Sequence, residues 1–166
     1  MEMETPPQPA PALEARSSFL EEKAFASRTV LVFGAINDSS AADTVHDVVR
    51  FISAPVRMIG TGWVGSAATH LFLSVPKERR FCLPQTRFLI HQPSGGAGGQ
   101  ATDIAIMARE IIKARERIAK VISRETGQPL EKVLVDIERD NWMGPQEAIE
   151  YGLISRVIES RSELEK

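Results

Sequence analysis

The chain has 166 residues, 43% of them apolar, with 20 Lys+Arg against 22 Asp+Glu. At roughly 150 residues per domain, this is one domain with room for a tail. The near-balanced charge speaks against a dedicated nucleic-acid binder, the single cysteine, Cys82, excludes an intrachain disulfide framework and suits a reducing compartment, and no apolar run approaches the ~20 residues that cross a bilayer.

Residues 1–16 hold four of the ten prolines and no hydrophobic period, so they read as a disordered or processed leader. Thr29–Ile36 (TVLVFGAI) is rich in β-branched and aromatic residues and predicts a buried strand; Asn37–Ser40 then opens a helix over Ser40–Ile52, ended by Pro55. Val56–Ile59 predicts a second strand. A glycine-punctuated turn follows, and then a helix carrying Ala67, Leu71, Phe72 and Val75. Within residues 79–92 the best strand is Arg87–His91, followed by the glycine cluster Ser94–Gly99. The longest periodic segment, Ala101–Glu125, lines up Ile104, Met107, Ile111, Ile118 and Val121 or Ile122 among charges, and Gly127 stops it. Pro129 starts a short helix through Val135, Arg139–Met143 reads as a loop, Gly144–Tyr151 is a helix ended by Gly152, and Leu153–Ile158 is a terminal strand before a charged, frayed tail. Alternating strands and helices predict an α/β fold with a largely parallel sheet.

Ser66 follows Gly60, Gly62 and Gly65 where a strand passes into a helix. Such a position exposes a side chain beside unpaired helix N–H groups and suits a nucleophile. It equally suits a helix N-cap, the commoner fate of a serine there. A serine nucleophile needs a base, and there are three histidines. His46 reads as an ordinary helix residue. His70, four residues after Ser66, is either a local base or a helix-surface residue. His91 ends a strand beside a loop, where sites on α/β sheets gather, or is a hydrogen-bonded strand-end residue. Asp43, Asp47, Asp103, Asp136 and Asp140 are available to orient the base, and Asp140 stands out for its loop setting. The glycine cluster lacks the Gly-Lys-Ser/Thr of a phosphate loop, and no Cys/His grouping has zinc-ligand spacing.

With their surroundings, Ser66, His91 and Asp140 strongly resemble the ClpP family, the proteolytic subunits of the Clp protease. GWVGSAATHLFL is similar to that family's serine turn and helix, RFCLPQTRFLIHQPSGGAGGQATDIAIMAREI to its histidine segment, and TGQPLEKVLVDIERDNWMGPQEAIEYGLISRVI to its aspartate segment. The resemblance runs from about Arg28 to Ile158. It implies a crotonase-like fold of repeated β/α units with a protruding handle, Gln92–Glu125, made of a glycine-rich strand and the long helix. It also implies a serine endopeptidase with Ser66 as nucleophile, His91 as base, Asp140 as the group that orients it, and the Ala67 N–H in the oxyanion hole. By the same resemblance the chain assembles with itself as stacked seven-membered rings, receives unfolded polypeptides from an AAA+ unfoldase that alone uses ATP, binds no cofactor or metal, and works in the cytoplasm. Residues 17–159 would form the peptidase domain, 1–16 a leader or propeptide, and 160–166 a charged tail.

Two departures stand out. The residue after the nucleophile is usually methionine in the family and is Ala67 here. More seriously, the family's strand and Ser-Pro-Gly-Gly loop, with the helix after it, have no counterpart: Asp43–Thr44 runs directly into His46–Pro55, which looks like the end of that helix. About one β/α unit, on the order of 30 residues, is missing. The alternative to an active peptidase is therefore a catalytically silent ring subunit that assembles with an active paralogue.

Overall fold

The computed structural model describes residues 32, 39–96 and 98–164. All but Val32 fall in one compact unit, Ile36–Lys166. The leader lies outside the described residues, as does the strand expected over Thr29–Ile36 apart from Val32, which is exposed and in no strand.

Helix α1 spans Ser39–Phe51, close to its expected bounds. Strand β1 is Met58–Gly60, displaced toward the glycines from Val56–Ile59. The stretch after it is more than a turn. Gly62, at φ 58°, redirects the chain into a second strand, β2 (Trp63–Gly65), before helix α2 (Ala67–Phe72). A 3-10 turn, Lys77–Arg79, leads into β3 (Arg80–Cys82), and β4 follows at Arg87–Ile90. Helix α3 runs Ala101–Thr126 and ends on Gly127, whose φ of 79° takes the left-handed cap that glycine adopts without strain. Pro129 sits at the cap of α4 (Leu130–Asp136). The expected loop at Arg139–Met143 contains a strand, β5 (Asn141–Met143). Helix α5 (Pro145–Tyr151) starts with Pro145 at its first turn and with Glu147 Oε2 accepting the Gly144 N–H at 2.6 Å. The terminal strand is only β6, Arg156–Val157. In place of a frayed tail, Arg161–Leu164 forms a 3-10 turn held by Glu163, whose carboxylate accepts the N–H groups of Glu159 and Ser160.

The strands form two three-stranded sheets, ordered β1-β3-β6 and β2-β4-β5. The first is parallel throughout. In the second, β2 and β4 are parallel but β5 runs antiparallel to β4. The expectation of a largely parallel sheet thus holds for three of the four strand pairs. The short turn around Gly62 connects the sheets: Arg87 N–H donates to Gly62 O at 2.7 Å, and Thr86 Oγ1 to Gly60 O at 2.9 Å. Leu73, Phe88, Ile90, Val133, Ile137, Leu153 and Ile154 are fully buried and fill the space between the sheets and helices α2–α5. At ~25 cal/mol per Å² of apolar surface, burying each such side chain contributes about 1.5–3 kcal/mol before entropy is counted.

Helix α3 meets this core only in its second half. Ala119 and Ile122 are buried there, whereas every residue of Ala101–Glu110 is exposed, including Ile104 and Met107. The predicted stripe is real, but its N-terminal half has no cover. Among the described residues of Gln92–Gln100 no strand forms beside the helix, and its glycines, which weaken a strand through backbone entropy and the lack of a side chain to pack, are the physical reason. No helix is long and apolar enough to cross a membrane among the described residues.

Candidate active site

The register of one sheet brings the three predicted site residues together. Ser66 is the first residue past β2, and its N–H extends the β2–β4 ladder by donating to Leu89 O at 3.1 Å. His91 is the first residue past β4. Because Ile90 pairs with Asn141 in the antiparallel ladder, the next position places His91 opposite Asp140, the residue just before β5. All three therefore leave neighbouring strands at the same edge of the sheet.

Ser66 is the one non-glycine residue with positive φ among the described residues, at φ 57° and ψ −120°. A side chain held there costs about 1–3 kcal/mol, and it persists only where the surroundings fix it. It occupies the N-cap position of α2 but makes no capping hydrogen bond. Its Oγ instead lies 2.7 Å from His91 Nε2. On the other side of the ring, His91 Nδ1 is 3.2 Å from Asp140 Oδ1. An ionised carboxylate only accepts, so Nδ1 carries the ring proton and Nε2 is left to accept from the serine hydroxyl. This hydrogen bond and ion-pair contact together can draw a proton from Oγ onto the imidazole while the carboxylate stabilises the resulting cation. Beyond His91 the chain is held by Gln92, whose N–H donates to Ile137 O at 2.6 Å and whose Nε2 donates to Glu138 O at 2.9 Å.

A cavity of about 250 Å³ opens beside Ser66 and His91. Ala67, the first residue of α2, lines it, and an N–H in the first turn of a helix has no intrahelical acceptor. Asp43 from α1 and Ile118 from α3 close other walls.

The remaining histidines are not surface residues. His46 and His70 are both buried, and their rings stack at 4.6 Å between α1 and α2. Nε2 of His70 meets Asp43 Oδ1 at 3.0 Å, while Asp43 Oδ2 accepts from Arg117 at 2.6 Å. Burial foremost, and then the neighbouring His46, hold His70 below the ordinary imidazole value, with Asp43 opposing them. His70 Nδ1 and His46 Nε2 are enclosed without a hydrogen-bond partner, and His70 lines the same cavity as Ser66. Of the other aspartates considered, Asp47 pairs with His46, Asp136 takes Lys132 and the Tyr151 hydroxyl, and Asp103 is exposed. Asp140 alone among these carboxylates pairs with His91.

Sequence reasoning missed the strands that create the site, β2 and β5, and one side chain beneath it. Thr69, 2% exposed, donates its hydroxyl proton toward Val64 O at 3.1 Å and Leu89 O at 2.9 Å. A β-branched hydroxyl residue three positions after Ser66, on the helix's inner face, was the available clue.

Known proteins share this arrangement of elements. The family model described as Clp protease matches residues 24–161. The chain is 53% identical over 124 residues to ATP-dependent Clp protease proteolytic subunit 3 of Rhizobium etli, an alignment covering 75% of this chain and 64% of the relative. It is 45% identical over 185 positions to proteolytic subunit 2 of Gluconobacter oxydans, covering 92% of this chain and 83% of that one. About 32 of those 185 positions have no counterpart here. A solved structure of a ClpP1 point mutant from Listeria monocytogenes superposes with a TM-score of 0.71 at 44% identity, covering 76% of this chain and 70% of that one. The chain thus spans about two thirds of the length of the Rhizobium relative it matches, and by its family pattern, its identity to these subunits and its shared fold it belongs to the Clp protease family.

Proposed function

We propose that the chain is a serine-type endopeptidase subunit of a Clp protease, acting on unfolded polypeptides. The observation that carries this reading is the 2.7 Å contact between Ser66 Oγ and His91 Nε2, made by a serine on a strained strand-to-helix turn. Oγ attacks the scissile carbonyl as its proton passes to His91 Nε2, and Asp140 holds the ring tautomer and supports the imidazolium. The N–H of Ala67 receives the oxyanion of the tetrahedral intermediate. Collapse of that intermediate returns the proton to the leaving amine and leaves an acyl-Ser66, which water hydrolyses with His91 again as base.

The assembly belongs to the proposal too. Uncovered apolar residues on the first half of α3, Ile104, Ile106 and Met107, suit contact with a second copy in stacked rings. An AAA+ unfoldase would deliver substrate and use the ATP, this chain needing no cofactor for hydrolysis. The cytoplasm fits such a partner and the single thiol.

One observation favours a second reading. About 32 alignment positions have no counterpart here, the size of the β/α unit that, by family resemblance, supplies a second oxyanion-hole amide and an edge for extended substrate. One lost oxyanion donor costs about 10²–10³ in rate, and lost substrate pairing removes positioning as well. On this reading the chain is a silent ring subunit beside an active paralogue. A fluorophosphonate probe separates the two. The peptidase reading expects labelling that disappears in Ser66→Ala, whereas an assembled oligomer that stays unlabelled supports the silent subunit.

A further inference from the structure

We infer that Thr69 is a positioning residue for the nucleophile, locking the Ser66 turn to the strand that carries His91. The inference deepens the peptidase reading and rests on it for its kinetic consequence. Leu89 O accepts two protons at once: the Ser66 N–H at 3.1 Å and the Thr69 hydroxyl at 2.9 Å. Leu89 lies two residues before His91 on β4, so a single carbonyl ties the backbone of the nucleophile to the strand of the base. The same hydroxyl lies 3.1 Å from Val64 O on β2, the strand that enters the turn. Thr69 thus reaches both strands that meet under Ser66, from the first turn of the helix that leaves it.

A generic packing role does not require this. A valine has the same branched shape and fills the same buried space, but it leaves Leu89 O with one bond fewer and gives Val64 O nothing. Ser66 would keep its position in the sequence of elements while losing a tether beside its positive-φ peptide. Proton transfer from Oγ depends on a hydrogen-bonding geometry in which an ångström of displacement costs up to about a hundredfold in rate. The branched methyl supplies packing and the hydroxyl supplies alignment, and the two are separable by substitution.

The test uses the full chain with Thr69→Val and Thr69→Ser, a fluorophosphonate probe, and thermal unfolding in parallel. Thr69→Val should lower the maximal labelling rate of Ser66 about 10- to 100-fold at unchanged probe affinity, and Thr69→Ser should restore it to within a few-fold. Labelling by Thr69→Val at the unaltered rate would overturn the inference, as would a Thr69→Ser that is as slow as Thr69→Val. A loss that merely follows the fraction of unfolded protein would also count against it. If the unsubstituted chain itself does not label, the peptidase reading fails, and a crystal structure of Thr69→Val decides the positioning question separately. Positioning requires the Ser66 Oγ to His91 Nε2 separation to exceed hydrogen-bond distance; a contact still near 2.7 Å refutes it.

Discussion

His91 and Asp140 face each other at 3.2 Å because the antiparallel ladder of β4 and β5, if continued by one residue, would pair them. The contact is thus set by backbone register, and the carboxylate itself is mostly exposed, with 63% of its side chain in solvent. Asp140→Asn should leave thermal stability nearly unchanged and lower the labelling rate of Ser66 by about 10²–10⁴. The upper figure is that of the trypsin-type triad, where the amide imposes the wrong tautomer. Probe kinetics beside a melting curve check both halves.

Restoring the missing unit tests what its absence costs. Inserting the corresponding strand, loop and helix segment of the Rhizobium subunit before Thr44 should raise peptide hydrolysis about 100- to 1,000-fold, the contribution of one oxyanion donor. A peptide-cleavage assay on the chimera and the parent gives the ratio.

Acid should loosen the α1–α2 contact. His70 has its pKa lowered by burial and by His46, so in the folded chain it resists a proton that the unfolded chain accepts near 6.5. The stability contributed by the neutral ring is present above that value and is lost as pH falls through it toward the lower, folded one. The melting temperature should therefore fall between pH 7.5 and 5.5, and the fall should be shallower in His70→Asn. Parallel melting series at the two pH values read the difference.

Arg80 is fully buried beside the C-terminal end of α2. Its guanidinium donates to Val75 O at 2.6 Å, to Glu125 O at 2.9 Å and to Glu125 Oε2 at 2.7 Å. Burial pulls its pKa down and Glu125 opposes that pull. Glu125→Gln would leave a desolvated cation without its counter-charge and should destabilise the domain by about 3 kcal/mol in urea unfolding. Arg80→Met, which removes the cation itself, should cost less.

Gly152 caps α5 at φ 93°, and a Cβ there would run into the carbonyl oxygen of Thr126 at the end of α3. Gly152→Ala should cost about 2 kcal/mol or more, from the left-handed backbone and from the separation of the two helix ends. Denaturant midpoints give the value.

Helices were legible where period and punctuation agreed. The apolar stripe of α3 ends at Gly127, α5 ends at Gly152, and both glycines take the left-handed cap that their positions suggest. The strands β2, β3 and β5 were not legible because each has three residues. Three residues are too few for alternation to show, and their extended form comes from neighbours distant in sequence. Trp142 looked like part of a loop and is in a strand because Leu89 pairs with it. For the site, the grouping of Ser66, His91 and Asp140 came from family resemblance; local spacing alone favoured a capping serine. The burial of His46 and His70 was hidden for a different reason. It depends on α1 lying against α2, which no residue in either helix announces.

Side chains on a strand change face at every residue, so the one-residue agreement between β4 and β5 has a consequence for a nascent chain. Were those three pairs to form one step out of register, His91 and Asp140 would point to opposite sides of the sheet. Such a misfolded product would carry Ser66, His91 and Asp140 without bringing them together. On the peptidase reading, correct strand alignment therefore acts as a licence: Ser66 and His91 gain their carboxylate partner only once β5 has docked in the right place, after Ser66 and His91 have both been synthesised.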